Sequence, residues 1–124
     1  MKLSRIESGL RLALAFYEAF NNHDAAAMAA MISDDCLLET FAPSPDGRLI
    51  GGRETIAHYW QESFAKTADL HLELEDIFGL GQRVIALHRR DWTDAAGAAQ
   101  YIRGVDIMRF QSNMITEIKA YSKG

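Results

Sequence analysis

The sequence predicts an α+β fold in which helices come first and an antiparallel sheet follows. Three observations carry that prediction. Apolar residues recur at helical spacing over residues 6–22 and 53–65, with an alanine-rich run between them. From Leu70 onward the pattern switches to strict alternation, Leu70, Leu72 and Leu74 interleaving with His71, Glu73 and Glu75. The later strand candidates are joined by the short turn-rich segments "DAAGA" and "QSN", which make consecutive strands antiparallel hairpins. Helices then pack on one face of the sheet.

Taken in order, Ile6, Leu10, Leu14 and Tyr17 mark the first helix, with Leu12, Phe16 and Phe20 widening its apolar stripe. Asp24 offers an N-cap for a short helix from Ala25 to Ile32, which stops at a Ser33-Asp34-Asp35 turn. "CLLETF" (36–41) reads as a first strand, and "APSPDGRLIGG" after it, with two prolines and three glycines, as a loop. The third helix, Arg53 to Ala65, buries Ile56, Tyr59, Trp60 and Phe64. After the Leu70–Glu75 strand, three more run from Arg83 to Thr93, Ala99 to Phe110 and Met114 to Ser122.

The 124 residues suit one domain, 1–124, with a single core. A net charge of −4, from 13 basic and 17 acidic residues without blocks of one sign, argues against nucleic acid or an anionic membrane as partner. The apolar runs are too short to span a bilayer, the first residues lack the order of a signal peptide, and a cytoplasmic location is expected. The single cysteine, Cys36, reads as a small buried hydrophobe. His71 and Glu73 share a strand face without a third ligand, so no metal and no cofactor are expected.

The most informative stretch is "RGVDIMRF" (103–110). Burying unpaired Arg103 and Arg109 is costly, so the odd-numbered register faces out and the even-numbered one in. Asp106 then points into an apolar interior. Two readings stand: a hydrogen-bond donor or proton carrier kept neutral because burial raises a carboxyl pKa, or a structural carboxylate satisfied by Arg89, Arg90, Arg103 or a backbone amide. Arg89 and Asp91 share a face as either a ligand-orienting pair or a surface ion pair. His58 and His88 read as surface or rim residues.

The segments "FYEAFNNHDAAAMAAMISDDC" (16–36), "GGRETIAHYW" (51–60) and "RGVDIMRFQSNMITEI" (103–118), in this order, make the chain resemble the nuclear transport factor 2-like superfamily, in its ketosteroid isomerase-like and SnoaL-like branch. The resemblance implies a cone: a curved antiparallel sheet wrapped around the N-terminal helix, three helices on its concave side, an apolar pocket open at one end, and a homodimer through the outer sheet face. It implies a small, mostly apolar ligand with a carbonyl or hydroxyl group. Pocket-lining residues would be Phe16, Tyr17, Phe20, Thr40, Tyr59, Trp60, Arg89, Asp91, Met108 and Ala120.

The same resemblance places Asp106 where ketosteroid isomerases carry a protonated oxyanion-hole aspartate, and so as the catalytic candidate. Their tyrosine position falls on Phe16, one residue before Tyr17, and their base position on Thr40, which lacks useful basicity. Arg89-Arg90-Asp91 matches half of the limonene epoxide hydrolase pattern, but its last-strand aspartate, like that of the SnoaL-like cyclases, falls on Ala120, and its water-holding positions on Leu38 and Thr40. The residues therefore point to isomerase-like or cyclase-like proton transfer aided by Asp106, or to a non-catalytic binding or association module on the same scaffold.

Overall fold

The structure, a computed structural model, describes residues 4–123. Its elements are α1 (Arg5–Asn21), α2 (Ala25–Ala30), β1 (Ile32–Glu39), β2 (Leu49–Gly51), α3 (Arg53–Lys66), β3 (His71–Leu80), β4 (Arg83–Thr93), β5 (Ala99–Gln111) and β6 (Met114–Ser122). One six-stranded sheet has the order β2-β1-β6-β5-β4-β3. Register shifts within the β3–β4, β5–β6 and β1–β6 pairs bend it around α1.

Helix α1 begins where Ser4 caps it, its side chain accepting from the Glu7 N–H at 3.1 Å. Its buried face is Gly9, Ala13, Phe16, Tyr17 and Phe20, a stripe rotated from the expected one. Ile6 and Leu14 are 40% and 47% exposed, because small Gly9 and Ala13 let α1 lie close to the sheet. Gly9 itself sits against Val84 and Phe110. Asp24 caps α2 as expected, with a 3.0 Å bond from the Ala27 N–H.

Three expectations need correction. The Ser33-Asp34-Asp35 segment is the start of strand β1, not a turn: α2 ends at Ala30, and β1 runs parallel to β6, where Ile32 pairs with Ile115. The sheet is thus mixed, a non-local pairing that no local pattern encodes. The glycine-rich loop contains β2, which pairs with residues 37–39. The strand starting near Leu70 continues to Leu80, since pairing with β4 carries it past a bulge between Leu74 and Asp76.

The C-terminal hairpins follow the sequence. Ser112 and Asn113, at φ 52° and 61°, form the two-residue turn between β5 and β6. In β5 the even-numbered residues from Ile102 to Phe110 face in; Arg103 and Arg109 are exposed, and Arg103 pairs with Glu75 on the outer face. Cys36 is fully buried, and burial, with the nearby Asp35 and Glu117 charges, pushes its thiol up to about 12. Among the described residues no helix is long and apolar enough to cross a membrane.

Candidate functional site

The inner face of β5 carries Asp106 into the space under α1, where it is 3% exposed. Its direct cross-strand neighbours are Ala86 on β4 and Ala120 on β6. Two methyl side chains leave the carboxylate accessible from above, and α1 fills part of that opening. The Tyr17 hydroxyl donates to Asp106 Oδ2 at 2.8 Å, across 89 residues of sequence.

On the other side, His88 Nε2 lies 3.2 Å from Asp106 Oδ1. The contact has ion-pair distance without the alignment of a straight hydrogen bond, so His88 Nε2 and Asp106 Oδ1, like His88 Nδ1 on the far side of the ring, have no hydrogen-bond partner among the described residues. Imidazole fits there because Gly104 faces it across the β4–β5 ladder. A Cβ on Gly104 would stand 3.4 Å from His88 Cε1 and 2.3 Å from the Tyr121 carbonyl oxygen.

His88 was expected at the surface or rim, and it is 1% exposed. The inward register of β4 is Val84, Ala86, His88 and Arg90. The apolar Val84 and Ala86 held that signal, but Ile85 and Leu87 on the other face masked it. His58 is exposed as expected and pairs with Glu62 at 2.8 Å.

Of the two readings of Asp106, the structure's contacts favour the paired carboxylate over the neutral acid. Burial pushes its carboxyl up, but the His88 contact, the Arg90 charge, the charge His88 carries when protonated and the Tyr17 hydroxyl together hold it below the ordinary range. It is a carboxylate. Tyr17 is shifted the other way: burial, the adjacent Asp106 charge and the shared bond raise its phenol well above 10, against a smaller lowering by Arg90. Tyr17 therefore keeps its proton and spends it on Asp106.

Above this cluster lies a cavity of about 60 Å³, lined on the polar side by Tyr17, Asp106, Arg90 and Thr40 and on the apolar side by aromatic rings. Phe16 meets Trp60 and Tyr17 edge-on at centroid distances of 5.4 and 5.6 Å, and Phe20 meets Phe64 at 5.3 Å. Tyr59 and Ala120 also line it.

Thr40 lines the cavity with its hydroxyl already committed, donating to the Ala42 carbonyl at 2.7 Å and accepting from the Arg48 N–H at 2.9 Å. Met108 is fully buried in the core, outside the cavity lining. Arg89 and Asp91 do not reach it either. They face outward, bond to one another at 3.0–3.1 Å, and Arg89 lies 3.9 Å over the Tyr101 ring. The alternation of β4 explains this: the arginine that enters is Arg90, between them.

The site thus combines an acceptor, Asp106, with a donor, Arg90, in apolar walls. A ligand hydroxyl or N–H can donate to Asp106, while a carbonyl has to turn to Arg90. A carboxylate held below its ordinary range is a weak base, suited to protons more acidic than those of unactivated carbon.

A search of the curated proteins found no match. Among solved structures, an NTF2-like protein from Mesorhizobium loti is 31% identical over 100% of this chain and 98% of its own, with a TM-score of 0.81. A Mycobacterium tuberculosis protein solved in complex with estradiol-17beta-hemisuccinate is 21% identical over 92% of each chain, TM-score 0.79. A protein of ketosteroid isomerase-like fold from Catenulispora acidiphila, in complex with trimethylamine, is 16% identical over 89% of this chain and 83% of its own, TM-score 0.80. The sequence profile of the SnoaL-like domain matches residues 13–118, most of the fold and the whole Tyr17–His88–Asp106 cluster, and the chain belongs to the SnoaL-like domain family.

Proposed function

We propose that the chain binds a small, mostly apolar compound bearing a hydroxyl or carbonyl group in the cavity above Asp106, and that its chemistry is cofactor-free proton transfer through that carboxylate. The supporting observation is Asp106, buried on an apolar cavity's polar wall and held there by Tyr17 and His88. A buried charge of this kind is weak evidence for stability alone, since replacing it by well-packed apolar groups is often neutral. The relatives in complex with a steroid ester and an amine support the use of this scaffold for small ligands.

One observation favours a second reading, a non-catalytic ligand-carrying or association module. The inner cavity of about 60 Å³ is far below the roughly 300 Å³ at which ligand pockets usually start, so a larger compound has to displace its aromatic walls. Under either reading the outer sheet face, with Tyr101 at 60% and Tyr121 at 48% exposure, is proposed to pair with a second copy.

The test is calorimetric titration of phenol into wild type, Asp106→Asn and Asp106→Ala, with thermal melts verifying that each variant folds. Loss of the hydrogen bond to Asp106 should weaken binding by about 1–3 kcal/mol. Equal affinities would assign Asp106 to structure and favour the second reading. Rapid isomerisation of a 3-keto-Δ5 steroid by the wild type would overturn the residue-by-residue reading that, with Thr40 at the base position, the site lacks the base such a reaction needs.

A further inference from the structure

Arg90 is the one charged residue at this site whose charge serves nothing already described except the electrostatics of Asp106. Its guanidinium carbon lies over the Phe20 ring at 5.1 Å and over the Phe41 ring at 5.2 Å. Aromatic rings attract the cation's faces and leave its N–H groups unused. Among the described residues Arg90 forms no ion pair, and its buried Nε has no hydrogen-bond partner. Asp106 feels its charge without touching it.

Arg90 also stands at a boundary. Beyond the inner cavity lies a second space of about 230 Å³, open to solvent, and the two share Phe41, Ser63, Leu70 and Arg90. The outer space adds Lys66 and Trp92 and has no acidic residue in its lining. Its two charged lining residues are both cations, while the inner wall ends on a carboxylate. A cation without a partner, faced by a second cation and by water-accessible space, is arranged for an anion coming from outside.

We propose that Arg90 binds a carboxylate, and that the ligand class is a small hydroxylated carboxylic acid: its carboxylate sits on Arg90 on the outer side, its apolar body passes Phe41, and its hydroxyl donates to Asp106 inside. The apolar body keeps the two negative groups apart, and the outer space supplies the volume that the inner cavity lacks. This rests on the small-molecule reading above and narrows it to an anionic ligand with two polar ends.

The test compares 4-hydroxybenzoate with two neutral probes, 4-hydroxybenzamide and phenol, by titration calorimetry on wild type, Arg90→Gln and Arg90→Lys. In wild type the acid should bind at least about tenfold more tightly than the amide, as a charge-assisted contact allows, and less so at high salt. Arg90→Gln should erase that preference, and Arg90→Lys, which keeps the charge and loses the fork, should restore part of it. Thermal melts establish that the variants are folded. Equal binding of acid and amide by wild type, or a preference that survives in Arg90→Gln, would overturn the assignment. Binding of phenol and amide without the acid would overturn it and leave the small-molecule reading standing. Binding of none of the three would remove both.

Discussion

Replacing Tyr17 by phenylalanine removes one oxygen and leaves the packing intact, so it isolates the hydrogen bond on which the site is built. The bond is 2.8 Å long, buried, and made to an ionised acceptor. Bonds of that kind contribute about 1.5–3 kcal/mol, and the upper half applies here because the remaining contact, from His88, is poorly aligned. For a domain of this size roughly 4 °C of melting temperature accompanies each kcal/mol, giving a fall of about 9–12 °C near neutral pH. The difference should also depend on pH.

Asp106 has a lowered folded-state pKa, so its stabilisation is present above the unfolded carboxyl pKa of about 4 and is lost as pH falls through the folded value. Tyr17 has a raised folded-state pKa, so its stabilisation is complete below about pH 10 and is lost as pH rises through the folded value. The gap between wild type and Tyr17→Phe should therefore be widest from about pH 5 to 9 and shrink on both sides. Urea denaturation followed by tryptophan fluorescence from pH 3 to 11 measures it. A gap under about 0.5 kcal/mol, or one constant across that range, would refute the charge-assisted bond.

Gly104→Ala should destabilise the fold by about 1–3 kcal/mol, because the new Cβ would meet the Tyr121 carbonyl oxygen at 2.3 Å and one of two paired strands has to shift. Urea denaturation of the variant checks this, and wild-type stability would show that the β5–β6 pair yields freely. Light scattering at micromolar concentration should give the mass of two chains, and Val105→Glu on the outer face should reduce it to one without loss of circular dichroism. A one-chain mass for the wild type would end the dimer proposal.

Much of the scaffold was legible locally. Local patterns placed three helices and five of the six strands, β1 only in its second half, and the cost of burying Arg103 and Arg109 fixed the register that turns Asp106 inward. What was illegible was non-local. The parallel β1–β6 pairing and the short β2 depend on partners about eighty and about twelve residues away, so "ISDD" and "LIG" carried no strand signal of their own.

By itself the sequence determined the class of fold, the face of β5 and the inward position of Asp106, because those follow from short-range periodicity and the cost of burying charge. Only the tertiary structure decided which groups surround that carboxylate. Phe16 and Tyr17 are adjacent on a helix, and the angle at which α1 meets the sheet sends the Tyr17 hydroxyl to Asp106. His88, Arg89 and Arg90 are adjacent on a strand, and the β4–β5 register brings His88 to Asp106, turns Arg90 to the cavity and sends Arg89 outward. Those contacts set the protonation state. Burial alone argues for a neutral acid, whereas the Tyr17 hydroxyl, the His88 contact and the nearby Arg90 guanidinium, brought from two other elements, hold the Asp106 carboxyl below the ordinary range.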